Sequence, residues 1–139
     1  MALPSLVAFA VGCGGTDAPN VVSQFVGVWS GAGTISTQCT GESPVSEDVT
    51  LSISLTEVDE GHVQEVNAVG CKFEYSVTGD SATLSNGPVS CPINGAQVSY
   101  QAGGFTRTGV NALSGFKTGV DVLPTGVMCT FSEDFSFAR

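Results

Sequence analysis

The sequence predicts an all-β chain, a small antiparallel up-and-down β-barrel, with a two-layer β-sandwich as the alternative. Three observations carry this prediction. Apolar and hydroxyl residues alternate strictly over long stretches, and from residue 21 onward no segment repeats its apolar residues at every third or fourth place. Gly, Pro and Asn then break the chain at short intervals, as turns between strands do.

Taken in order, a first strand is expected around Phe25 to Gly33, centred on Trp29. The clearest strand runs over 49–56, with Val49, Leu51, Ile53 and Leu55 on one face and Thr50, Ser52, Ser54 and Thr56 on the other. The same period returns where Cys71, Phe73, Tyr75 and Val77 alternate with Lys72, Glu74 and Ser76. A turn over 78–81 leads into Ala82-Thr83-Leu84, and Asn86-Gly87 is a tight-turn pair that Pro88 keeps from forming a regular two-residue hairpin. Further strands are expected at 97–102, 105–110, 113–122 and 127–137, with Gly103-Gly104 and 123–126 as breaks. The last places Val127, Cys129, Phe131, Phe135 and Phe137 on one side, with Glu133 among them. Such closely spaced strands leave no room for parallel crossovers, so the sheet must close on itself or fold into two layers. The expected filling is Trp29, Ile35, Leu51, Ile53, Phe73, Tyr75, Leu84, Tyr100, Phe116 and Phe131.

A chain of 139 residues fits one domain. Charged residues make up only 12%, against a usual ~25%, while glycine reaches 18 residues, a profile that suits an exported β-protein. Four Lys and Arg stand against 13 Asp and Glu, for a net charge of −9. The cations Lys72, Arg107, Lys117 and Arg139 are scattered, so nothing resembles the basic patch that a phosphate backbone requires, and nucleic acid is set aside as a partner.

Residues 1–12 are uncharged and mainly apolar, too short to span a bilayer and matched in length to the apolar h-region of a secretory leader, roughly 7–15 residues. The run Ala10-Val11-Gly12-Cys13 resembles the lipobox of bacterial lipoproteins, which implies lipidation at Cys13 and a membrane partner through that anchor. Residues 13–24 then read as anchor and tether, leaving 25–139 as the barrel. Setting Cys13 aside leaves Cys39, Cys71, Cys91 and Cys129, an even set that permits three pairings. The expected bridges are Cys71–Cys91, across neighbouring antiparallel strands, and Cys39–Cys129, where the last strand meets the first as the barrel closes. No metal site is expected, because these cysteines show no zinc-ligand spacing with one another or with His62.

Gly27-Val28-Trp29 resembles the opening strand of calycin-type barrels, the lipocalins and avidins, which implies that Trp29 plugs one barrel end. A broader likeness is to small uncharacterised lipoproteins of delta-proteobacterial type. It rests on Cys13-Gly14-Gly15, Trp29-Ser30-Gly31, Gly70-Cys71 and Cys129-Thr130-Phe131, and it implies no activity.

Candidate chemistry is sparse. Asp59, Glu60 and His62 could hold a divalent cation at a hairpin tip, and a solvated turn is the favoured reading. No Gly-x-Ser-x-Gly elbow accompanies His62, so a serine nucleophile is without support. The adjacent pairs Glu47-Asp48 and Glu133-Asp134 point to opposite faces of a strand and cannot act together on one bond. No catalytic residue and no cofactor is therefore expected. Glu133 shares the parity of Phe131 and Phe135; it either pairs with Arg107 or Lys117 inside the barrel or sits on a bulge that turns it to water, the bulge being favoured. The expected function is a non-enzymatic lipoprotein of the bacterial envelope, at the outer membrane or extracellular, with an interaction or structural role and a packed interior. The alternatives are a lipocalin-like binder of a small apolar ligand, and self-assembly through exposed strand edges.

Overall fold

The computed structural model describes residues 21–139. Cys13, and with it the expected leader and lipid anchor, lies outside the described residues. Val22–Gln24 form one 3-10 turn, and nine strands follow: β1 (Gly27–Cys39), β2 (Val45–Asp59), β3 (His62–Val66), β4 (Lys72–Thr78), β5 (Ser81–Leu84), β6 (Val89–Ile93), β7 (Ala96–Gly109), β8 (Ala112–Val122) and β9 (Met128–Ala138). The hydrogen-bonded order is β5-β4-β3-β2-β1-β9-β8-β7-β6, and a further β5–β7 pairing joins the two flanks, so the antiparallel sheet curls into a barrel-like ring.

Strand β7 makes that closure. One edge pairs with β8; along the other, β6 takes residues from Ala96 to Tyr100 and β5 takes Gly104 to Thr106. The Gly103-Gly104 pair, expected as a break, instead lies inside a continuous strand just past a bulge between Tyr100 and Ala102. Glycine is needed there because a Cβ on Gly104 would stand 2.6 Å from the Ala82 carbonyl oxygen of β5.

One end of the ring is sealed. Val22, Phe25, Trp29, Leu55 and Val63 are fully buried at that end, and the Trp29 indole N–H donates to the Phe25 carbonyl at 2.8 Å. Arg139 lies over the Trp29 ring, 4.2 Å from its centroid, and donates to the Val26 carbonyl at 2.7 Å. Arg107 donates to the Gln24 side chain at 2.6 Å and to Asp80 at 3.0 Å, pinning the 3-10 turn to the β4–β5 turn. Residues 22–24, read from sequence as tether, therefore belong to the folded domain, and Val22 is part of its core.

Aromatic rings of β9 lie across glycines of neighbouring strands. Gly31 faces Phe137, Gly33 faces Phe135 and Gly119 faces Phe131 in the ladder registers, and a Cβ at any of the three would collide with a backbone carbonyl and with the ring. On β8 the inward set is Leu113, Gly115, Lys117, Gly119 and Asp121, which turns Phe116 outward, 45% exposed, and removes it from the expected filling. Small inward residues make room for the rings of β9, so apolar character alone misassigns this strand.

The other end carries both disulfides, Cys39–Cys129 and Cys71–Cys91, in the pairing the sequence suggested. Cys39 and Cys129 are direct partners in the β1–β9 register. Cys71–Cys91 spans a seam, because β4 pairs with β5 only from Tyr75 to Thr78 and shares no ladder with β6. Asn86 stands in for the missing strand: its side chain accepts the Glu74 N–H at 3.0 Å and donates to the Lys72 carbonyl at 3.2 Å. The Asn86-Gly87 pair thus caps an edge and does not form a hairpin turn.

Candidate functional site

The interior changes character along the barrel axis. Beyond the apolar sealed half, the inward positions of β3, β8 and β9 become Glu65, Lys117 and Glu133. Glu65 shares a face with Val63 because two residues on a strand return to the same side, and it is only 4% exposed. A carboxylate so deep in the barrel must be paired. Lys117 donates to its two oxygens at 3.1 and 3.3 Å, and the Tyr75 hydroxyl donates to Oε1 at 2.8 Å. The Lys117 ammonium also lies 4.9 Å from the centroid of the Phe73 ring, whose face attracts a cation.

Glu133 follows the inner parity of β9 without interruption. Its register partners are Ile35 on β1 and Lys117 on β8, and neither ladder shifts there. The favoured expectation of a bulge that frees Glu133 to water is therefore corrected: the flanking Phe131 and Phe135 are partly buried and buried, respectively, and they hold the strand in phase. Arg107 belongs to the sealed end, and Lys117 is taken by Glu65, so neither expected cation makes an ion pair with Glu133.

These surroundings set the acidities. Burial raises the Glu133 carboxyl above the ordinary range; the positive charge of Lys117 opposes this and the negative charge of Glu65 reinforces it. Burial likewise pushes the Tyr100 phenol up to about 12, helped by the charges of Glu133, Glu65 and Asp121. The Tyr75 phenol is raised further, first by burial and then by the charge of Glu65 and the hydrogen bond to it.

Between the charged groups and the rim is a pocket of about 240 Å³, walled by Ile35, Val49, Leu51, Phe73, Tyr100 and Phe135. Glu65, Lys117 and Glu133 also line it, with Asn67 at the rim. Asn67 is fixed by accepting the N–H groups of Val69 and Cys71, and its amide donates to the Cys91 sulfur at 3.5 Å. One oxygen of the inward Asp121 is buried without a partner among the described residues. Larger concavities, of about 440 and 560 Å³, lie over Ala32 and Gly33 on the outer wall as shallow grooves, each lined by one carboxylate, Asp134 in the first and Asp48 in the second.

The Asp59–Glu60–His62 cluster sits at the β2–β3 turn at the sealed end, away from this pocket. Asp59 accepts the Gly61 N–H at 2.8 Å and meets His62 Nδ1 at 2.8 Å. The Gly61 hydrogen bond first, and His62 second, hold its carboxyl below the usual range. Its oxygens are thus used in ordering a turn. Among the described residues, no three His, Cys, Asp or Glu side chains are grouped to hold a metal. Sequence reading missed Glu65; the available signal was its place two residues after Val63 in a short run bounded by Gly61 and Asn67.

The molecule is thus an antiparallel barrel sealed at one end, with a charged, apolar-walled pocket at the other. No family model matches the chain, and no curated protein matches it. Among solved structures it is similar to a protein of unknown function from the DUF3598 family of Nostoc punctiforme, with 9% identity and a TM-score of 0.41. That similarity covers 85% of this chain and 49% of the other, so the chain spans about half of that protein's length.

Proposed function

We propose that this domain is a non-enzymatic, exported binder of a small molecule, a lipocalin-like barrel held at the bacterial envelope through Cys13. The observation that carries the reading is the pocket of about 240 Å³, in which apolar walls converge on a few polar groups, the usual make-up of a ligand site. Its size lies between the ~150 Å³ cavity that accepts one benzene ring and the ~300–1,000 Å³ of drug-sized sites, which suits a ligand of about one ring. Export is supported by the two disulfides, which persist in oxidising compartments. An interaction or structural role is the second reading, favoured by the exposed Val28 and Phe116 on the outer wall.

Native mass spectrometry of protein recovered from its host, with thermal shifts for one-ring compounds, tests the proposal. A bound species of that size is expected, and a ligand at about 100 times its Kd adds ~2.7 kcal/mol of stability. Val49→Trp fills the pocket and abolishes both signals. Binding that persists in this variant, or no stabilisation by any one-ring compound, refutes the reading.

A further inference from the structure

We propose that the pocket is selective for a small organic cation, a protonated amine carrying about one ring, whose ammonium sits against Glu133 beside the Tyr100 hydroxyl. This deepens the small-ligand reading above and rests on it. The charges inside the barrel do not balance. Lys117 is committed to Glu65 by two hydrogen bonds and to the face of Phe73, which leaves Glu133 with no hydrogen bond or ion pair among the described residues. The Tyr100 hydroxyl, on the same pocket wall, also lacks a partner among them. Neither the Glu133 oxygens nor that hydroxyl is fully enclosed by protein, so a ligand entering the pocket can reach them.

Three ligand classes can be compared on this geometry. An anion would have to draw Lys117 from Glu65, stranding a carboxylate that is 4% exposed. A neutral molecule would strip water from Glu133 and return no charge, which burial already penalises. A cation supplies the missing partner and also meets aromatic rings of the pocket wall, where Phe73 and Tyr100 pack edge to face at 4.9 Å. Asp121 adds negative charge at the same end, and the net charge of −9 draws cations towards the molecule.

The experiment compares 2-phenylethylamine, 2-phenylethanol and phenylacetate by titration calorimetry at neutral pH on the disulfide-intact protein. The amine is expected to bind at least tenfold more tightly than the alcohol, and phenylacetate most weakly. Glu133→Gln should bring the amine-to-alcohol ratio close to one. Val49→Lys, which places a competing ammonium at the pocket wall, should weaken the amine about tenfold and favour phenylacetate, so the inference stays testable if Glu133→Gln does not fold. Alcohol or phenylacetate binding as tightly as the amine overturns cation selectivity and leaves the small-ligand reading standing. An amine advantage that survives Glu133→Gln also overturns it, as does no binding by any of the three, whereas the small-ligand reading falls only if the wider set of one-ring compounds also gives no thermal shift.

Discussion

Lys117 sits where loss of a single group has the largest consequence, because the carboxylate it neutralises cannot move into water. Lys117→Met leaves Glu65 buried with only the Tyr75 hydroxyl for company, and breaking such a pair costs about 3–5 kcal/mol. Urea denaturation should show that loss, and the double variant Glu65→Gln, Lys117→Met should recover most of it. Glu133 gives a second test, in pH. Its carboxyl is raised in the folded chain, so above the ordinary value of 4.5 there is a window in which the folded state keeps a proton that the unfolded chain has released. Stability therefore falls as pH rises through that window, moderated by Lys117 and sharpened by Glu65. Glu133→Gln should melt higher than wild type at neutral pH, and the gap should close as pH approaches about 4.5. A gap that widens on acidification contradicts this account. Asp59, with its carboxyl lowered, acts in the opposite sense and loses its contribution on acidification.

At the scale of the strand, the inner faces of β1, β8 and β9 depend on fitting rings over bare backbone. Gly33→Ala drives a Cβ into the Asp134 carbonyl and the Phe135 ring, and overpacking of that kind costs about 1–3 kcal/mol. The expected readout is a lower urea midpoint with an unchanged slope. The same fit explains what could be read in advance. Strands β2, β4 and β9 were legible because apolar side chains alternate along them, and the alternation gave the correct inner face. Strand β8 was found as a strand, but its inner face of Leu113, Gly115, Lys117 and Gly119 has no apolar rhythm, and Phe116 drew the assignment the wrong way. Strand β3 escaped notice because it is five residues long and turns Glu65 inward. The pocket was therefore half visible: Glu133 could be placed from parity and Lys117 named with Arg107 as one of two possible partners, whereas the group that claims Lys117 lay on a strand that was missed.

For the whole molecule, closure was legible because closely spaced antiparallel strands leave no room for crossovers, and closure in turn set Cys39 beside Cys129. The bridges differ in reach. Cys39–Cys129 spans 90 residues and Cys71–Cys91 spans 20, and in the chain-entropy model loops of those lengths restrain the unfolded state by about 4–5 and about 3 kcal/mol. Replacing Cys39 and Cys129 together with Ser should lower stability more than replacing Cys71 and Cys91, as measured by denaturant midpoints under non-reducing conditions. The reverse order would show that the seam between β4 and β6 governs stability more than chain entropy does. The two bridges are also nested, since the segment from Cys71 to Cys91 lies within the one from Cys39 to Cys129. As a graph, the polypeptide between Cys39 and Cys129 is a closed circuit, and a closed circuit cut once is still in one piece. A protease that severs a peptide bond anywhere in that circuit, for instance at the turn between β7 and β8, adds one water to the mass and releases no fragment until the disulfides are reduced.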